Sequence, residues 1–418
     1  SGYAQADNQV SYSFPTSVSH YAGYPAGASE DLLGLTPFTA LQQGATNALL
    51  QLVADVSGLT FQAQAPGATE LRYAMNDTND AAYAYYPIDG SSASGAAWFN
   101  KSSFNSPAKG NYAWMGILHE SGHTLGLKHG QDFPELTTPH DSLEYSVMTY
   151  RSYVGDPLSS GYSNETWGYP QTLMMFDIAA LQRLYGANFG FNATDTVYSW
   201  SPDTGEAFFN GTGQGAPGGN RVFMTIWDGG GTDTYDLSNY VSATVIDLRP
   251  GQWTTTAPAQ RANLGDGNFA RGNVANALLF DDDPRSLIEN AIGGTFNDTL
   301  IANQAANRLT GNGGSDTFRW TTLADAAAGS ADHVADFDTI ETDKIDLGGI
   351  DANSLTPGDD AFNFIGAGAF TGTAGQLRYE VISGNLHLLG DVDGNGVADL
   401  LIVFDNITSL TAADFVGL

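Results

Sequence analysis

The chain has 418 residues, 15 of them basic and 46 acidic, with a net charge of −31 and no cysteine. A polyanion of this kind is repelled by nucleic acid and by anionic membrane surfaces, so neither is expected as a partner. Disulfides are excluded as a source of stability, and no apolar run is long enough to span a membrane, so a folded chain of this length relies on its cores and on bound ions.

The first periodic segment, Pro37 to Asp55, spaces Phe38, Leu41, Ala45, Leu49, Leu52 and Val56 as one helix face. Thr36 reads as its N-cap, Pro37 as its first residue and Gly58 as its stop. Four stretches then alternate like strands: Leu59 to Gln64, Glu70 to Met75, Ala82 to Pro87 and Ala96 to Asn100. A second helix is expected from about Ala113 to Leu127, followed by a long loop rich in proline and acid. A last helix is expected near Leu173 to Tyr185.

The second helix carries H-E-S-G-H-T-L-G-L-K-H, which places three of the seven histidines within eleven residues. Residues four apart share a helix face, so His119 and His123 can address one ion. Gly126 can leave the helix at positive φ, which glycine adopts at little cost, and the returning chain brings His129 to the same point. Three neutral imidazoles suit Zn²⁺ and leave its fourth position for water. Glu120 is not needed as a ligand and is placed to take a proton from that water. A bare H-E-x-x-H occurs by chance on solvated helices, whereas the extended pattern with Gly126 and His129 is far rarer.

Beyond about residue 200 the helical period disappears, and Gly, Asn and Asp alternate with short β-branched or aromatic runs, as in an all-β solenoid or sandwich. Three nonamers stay in register: G-G-T-F-N-D-T-L-I from Gly293, A-N-Q-A-A-N-R-L-T from Ala302 and G-N-G-G-S-D-T-F-R from Gly311. They match the calcium-binding β-roll pattern, in which each turn supplies two short strands. Leu300, Leu309 and Phe318 should stack inward. Asp298 and Asp316, on the same side, can share a Ca²⁺ with Gly293, Thr295, Gly311 and Gly313 supplying the loop shell. The roll is degenerate, because Phe296 and Asn312 replace glycines and Asn307 replaces the middle Asp. One or two ions are expected there, against the alternative of metal-free Gly- and Asn-rich turns. D-V-D-G-N-G-V-A-D, Asp391 to Asp399, has the start of an EF-hand loop but lacks flanking helices and the acid at position twelve. Apolar runs on both sides favour a β-hairpin over a calcium loop.

Several stretches together resemble the serralysins, secreted bacterial zinc proteases of the metzincin class. They are G-N-Y (Gly110 to Tyr112), the histidine motif, S-V-M-T-Y (Ser146 to Tyr150), and D-I-A-A-L-Q-R-L-Y-G-A-N from Asp177. Further on come T-I-W-D-G-G-G-T-D-T from Thr225, I-E-N-A-I-G-G-T from Ile288 and D-K-I-D-L from Asp343. The resemblance implies an α+β metzincin-like catalytic domain, residues 1–200, followed by an all-β parallel β-roll or β-sandwich domain, residues 201–418. It makes Met148 the methionine of a tight turn beneath the zinc site. It makes Tyr150 a zinc contact that swings away to stabilise the oxyanion. It assigns Asp228, Gly230, Gly231, Asp233 and Glu289 to a calcium pair.

The implied activity is zinc-dependent endopeptidase action outside the cell, with Glu120 as general base and one catalytic Zn²⁺ beside several structural Ca²⁺ ions. The peptide is expected along Ala82 to Tyr86 by strand addition. Asp141 is read either as an orienting partner of a ligand imidazole or as a loop cap. Implied partners are protein substrates, a proteinaceous inhibitor and a type I secretion machinery, with the chain acting as a monomer. S-G-Y-A-Q-A-D has no signal-peptide features, and the resemblance implies export guided by a C-terminal signal and synthesis with a short pro-segment. The tail A-D-F-V-G-L departs a little from the family's acid-plus-apolar ending. Two rival readings are a calcium-binding surface or adhesion protein with a non-proteolytic zinc domain, and a zinc hydrolase of another bond. The intact Glu120 speaks against the first, and the Met turn with Tyr150 against the second.

Overall fold

The computed structural model describes residues 8–25, 31–67, 69–78, 80–88, 91–132 and 136–418. The N-terminal heptad, including Ser1, lies outside the described residues. The chain forms two compact units, each built from more than one stretch: Ser1–Phe191, Ala216–Trp227 and Gln260–Asp282 in the first, and Asn192–Gly215, Asp228–Ala259 and Asp283–Leu418 in the second.

Among the described residues, the first unit, with a few short strands besides, is built round a five-stranded sheet and three α-helices. In chain order these are β1 (Gln9–Ser13), α1 (Ala40–Val56), β2 (Thr60–Ala63), β3 (Leu71–Asn76), β4 (Ala82–Ala84), β5 (Ala96–Asn100), α2 (Tyr112–Thr124) and α3 (Met175–Tyr185). Strand order is β2-β1-β3-β5-β4. All pairings are parallel except β4, which runs antiparallel to β5 along the edge. β3 is buried along its whole length, as expected of a central strand covered on both faces. α1 and α2 pack together, and α2 passes beneath β4 and β5.

The first helix begins three residues later than its composition suggests. Thr39, not Thr36, is the N-cap: its hydroxyl accepts from Gln42 N–H, and the Gln42 side chain accepts from Thr39 N–H at 2.7 Å. This reciprocal box satisfies two orphan donors at once. Thr36 instead bridges to Met75 with two backbone hydrogen bonds. The buried face is accordingly Ala45, Leu49, Leu50, Val53 and Val56, while Leu41 is 57% exposed. Burial of each large aliphatic side chain there contributes about 1.5–3 kcal/mol.

The second unit is dominated by parallel ladders of three-residue strands. Asn290–Ile292, Arg308–Thr310 and Asp332–Val334 lie in one sheet; Thr299–Ile301, Thr317–Arg319 and Lys344–Asp346 lie in the other. Successive nonamers alternate between the sheets, so Thr299 pairs with Thr317, two repeats on. Leu300, Leu309 and Phe318 are fully buried between them, as the repeat predicts. The fold is therefore a metzincin-like α+β unit with an all-β parallel β-roll unit. The D-V-D-G-N-G-V-A-D segment joins antiparallel strands Asn385–Asp391 and Leu400–Phe404, which makes it a hairpin connection. Among the described residues, no helix is long and apolar enough to cross a membrane.

Candidate functional site

α2 starts where Asn111 caps it, accepting from Trp114 N–H at 2.9 Å. It ends in a Schellman turn, with Leu127 N–H on Gly122 C=O and Gly126 N–H on His123 C=O, both at 2.9 Å. Gly126 sits at φ +97°, which a side chain would strain. That turn reverses the chain so that His129 meets the two helical histidines. One nitrogen from each of His119, His123 and His129 lies within 4.8 Å of the others. His123 Nε2 and His129 Nε2 are 2.9 Å apart.

The other ring nitrogens are held from behind. His119 Nδ1 faces Val147 C=O at 2.7 Å, His123 Nδ1 faces Leu127 C=O at 2.8 Å, and His129 Nδ1 faces Asp132 at 3.3 Å. Such partners fix the tautomer and leave each Nε2 lone pair free for a metal. Burial lowers the basicity of all three, His119 well below the usual range and His123 to about 4. Neutral, convergent and back-supported imidazoles fit a zinc ion by donor chemistry. Asp141 does not take part: it accepts from Thr149 and pairs with Arg151 at 2.7 Å.

Glu120 follows His119 on the helix and is 5% exposed. Its Oε2 is buried with no hydrogen-bond partner among the described residues. Burial lifts its carboxyl to about 8, so it can exchange a proton near neutral pH. The Tyr150 ring lies 4.4 Å from that of His129, and burial followed by the Glu120 charge raises its hydroxyl to about 12. These groups open on a cleft of about 630 Å³, lined by Asp80 to Tyr83 on the β4 side and by Phe104, Tyr112, Tyr162 and Tyr169.

Met148 packs directly under the helix. A Cβ on Gly122 would stand 2.5 Å from Met148 Sδ, so this motif glycine makes room for the thioether. The turn carrying Met148 is pinned by Asp177, whose carboxylate accepts from Ser146 Oγ at 2.6 Å, Val147 N–H at 2.8 Å and Met174 N–H at 2.9 Å. Because the Val147 carbonyl holds His119, Asp177 bears on that ring through the Val147 backbone. Asp177→Ala is expected to cost about 3 kcal/mol of stability, since it strands buried donors. It should also weaken zinc binding by about 10- to 100-fold. Urea unfolding and a zinc competition titration check the two effects. Neither Asp177 nor Asp132 was evident from sequence; the one available hint is an acid in the first turn of α3.

In the second unit the predicted acids gather in two places. Asp228 accepts from Tyr198 and Gly230 N–H, and Gly230 and Gly231 both turn at positive φ immediately after it. Asp233 accepts from Thr196 N–H and donates its own N–H to Glu289, while its Oδ2 is buried without a partner. Burial raises Asp228 and Asp233, and it lifts Glu289 to about 7. In the roll, Asp298 N–H donates to Asp316 Oδ1 and Asp316 N–H to Asp343, but Asp316 Oδ2 is buried and unmatched. Gly293 and Gly311 approach these acids closely: a Cβ on either would fall within 2.6 Å of Asp298 or Asp316 oxygen. Thr295 and Gly313 lie in the same two loops. Orphaned carboxylate oxygens of this kind suit a hard cation.

The middle repeat is built differently. Asn303 Nδ2 donates to the carbonyls of Leu248 and Ile288, and Asn307 Nδ2 donates to Glu289 C=O and Asn303 Oδ1. Asn303 N–H closes the set on Asn307 Oδ1. Amide hydrogens there satisfy carbonyls without an ion.

The family model described as Peptidase M10 serralysin C terminal matches residues 187–417. The chain is 32% identical to metallopeptidase AprA of Pseudomonas marginalis, over 94% of this chain and 83% of that protein. It is 31% identical to metalloprotease AprA of Pseudomonas entomophila strain L48, over 90% and 79%. It is also 31% identical to serralysin C of Dickeya chrysanthemi, over 92% and 81%.

Proposed function

Because the chain belongs to the serralysin family and is a metalloendopeptidase, we propose that it cleaves extracellular proteins by zinc chemistry centred on His119, His123 and His129, with Glu120 as general base. The convergence of three neutral imidazoles beside one unpartnered, buried carboxyl group carries this reading. When bound at those histidines, zinc supplies Lewis-acid chemistry at neutral pH, stabilising charge and activating water.

The protein's own groups do the rest. Glu120, next to His119 and buried with its Oε2 given no hydrogen bond among the described residues, accepts the proton of the attacking water in its ionised form and returns it to the leaving amine. Tyr150 keeps its proton at working pH and can donate to the developing oxyanion. The free edge of β4 offers backbone groups to an extended peptide, which sets its direction across the cleft. Val147, Leu127 and Asp132 hold the imidazoles so that no ring must reorient during turnover.

Residues 1–200 are assigned the catalytic role and residues 201–418 the calcium-binding one, with Asp228, Gly230, Gly231, Asp233 and Glu289 at one site and Gly293, Thr295, Asp298, Gly311, Gly313 and Asp316 at another. Stabilisation by calcium suits a cysteine-free protein acting outside the cell as a monomer after type I export, within reach of a proteinaceous inhibitor. The test is casein hydrolysis with and without a zinc chelator. Activity should vanish on chelation and return with stoichiometric zinc; undiminished hydrolysis by metal-stripped protein would end the reading.

A further inference from the structure

β4 is three residues long and, among the described residues, pairs along one edge only, with β5, Ala82 opposite Phe99 through Ala84 opposite Ala97. Backbone bonds at Ala81 and Tyr85 extend this ladder by one residue at each end and no further. Yet its first residues, Ala82 and Tyr83, line the cleft together with Asp80 and Ala81 just before them. Alternate side chains leave a strand on opposite faces. On one face α2 lies beneath β4, and the Tyr86 ring meets that of His123 at 5.4 Å. On the other face Tyr83 and Tyr85 converge on a single residue, Asp31.

Asp31 is 8% exposed and accepts three phenol hydroxyls. Tyr83 donates to Oδ1 at 2.7 Å, Tyr85 to Oδ2 at 2.7 Å and Tyr24 to Oδ2 at 2.9 Å. Two of these hydroxyls are directed there by a neighbour. Asn76 Nδ2 on β3 donates to the Tyr83 oxygen at 2.8 Å, and Trp98 Nε1 on β5 donates to the Tyr24 oxygen at 3.0 Å. With their acceptor sides taken, both phenols turn their protons to the carboxylate. Asn76 Nδ2 also donates to the Asp31 carbonyl at 3.1 Å. Hydrogen bonds to a charged acceptor are short and strong, and three on one carboxylate leave it little freedom.

We propose that Asp31 is a positioning residue for substrate: by clamping Tyr83 and Tyr85 it holds β4 in register above α2, so the edge is ready to pair with an extended peptide. The proposal rests on the reading of β4 as the docking edge. Neither Asp31 nor its clamp touches the reacting atoms; it acts by removing the cost of ordering β4 on binding.

Asp31→Asn removes the charge and the symmetric acceptor. Tyr85→Phe keeps the ring and removes one donor. Both are compared with the parent on a hexapeptide that reaches along β4 and on a blocked dipeptide that does not. The parent should favour the hexapeptide. In Asp31→Asn, KM for the hexapeptide should rise about tenfold with kcat within about twofold. Its kcat/KM on the dipeptide and its zinc content should match the parent. Tyr85→Phe should show the same pattern at smaller amplitude. Amide exchange at Ala82 to Ala84 should quicken in both variants, while β3 stays protected.

A parent with no preference for length would overturn the docking-edge reading, and the clamp with it. A length-sensitive parent whose variants behave identically to it would overturn the clamp alone. Equal losses on both substrates, or loss of zinc, would also overturn it, because Asp31 would then be only a fold element.

Discussion

Replacing Glu120 with alanine should leave the zinc content unchanged and reduce casein hydrolysis by about a thousandfold. The argument is one of place and protonation. Glu120 is the single carboxyl group that α2 presents to the cleft beside His119, and burial raises its proton affinity above that of an ordinary carboxylate. The three histidines are braced by Val147, Leu127 and Asp132, none of which depends on Glu120. Metal binding and proton transfer are thus separable by one substitution. Oε2 receives no hydrogen bond among the described residues, so its removal strands no donor. The variant should therefore melt no lower than the parent. Metal analysis, a casein assay and a thermal scan on one preparation check all three. A variant that digests casein at the parent's rate would remove Glu120 from the mechanism.

Calcium depletion should destabilise the second unit, and more so at pH 8 than at pH 6. Burial places Glu289 and Asp316 at about 7, above the ordinary carboxylate range. A folded-state pKa raised in this way contributes stability below the unfolded value, near 4, and that contribution is lost as pH rises through 7. Without calcium, rising pH therefore charges acids that have no counter-ion. With calcium, the same charging creates ligands, so affinity grows over the same window. One site at a hundredfold excess of calcium over its Kd contributes about 2.7 kcal/mol. The gap in Tm between loaded and chelated protein should widen from pH 6 to pH 8, measured in buffered zinc so that only calcium changes. Hydrogen exchange should locate the loosening at Gly293–Asp298 and Gly311–Asp316, while Asn303–Asn307 stays protected. A gap independent of pH, or equal protection with and without calcium, would contradict this account.

Local patterns were legible in the sequence and distant partnerships were not. The histidine triad follows from helix spacing and one glycine, all within eleven residues, and the cluster forms where that spacing puts it. The roll follows from a nine-residue period, and its inward Leu300, Leu309 and Phe318 are fully buried. The N-cap of α1 was misplaced although T-A-L-Q, Thr39 to Gln42, carries the capping-box pattern; Pro37 drew the helix start too early. β1 escaped notice because its five residues are paired with Thr60–Ala63 and with Leu71–Arg72, far along the chain. The same holds for Asp177, which reaches back 30 residues to Val147. It holds for Asp132, whose value depends on where a turn delivers His129. Short-range spacing encodes which groups can share an ion; what steadies them is decided by packing that no window of sequence contains.

The asparagine pair in the middle repeat alters what the surrounding medium can do to this protein. An amide nitrogen carries its positive end on the side chain itself, so Asn303 and Asn307 hold the carbonyls of Leu248, Ile288 and Glu289 with nothing borrowed from solution. A sequestering agent that would empty a carboxylate loop holding calcium has nothing to extract here.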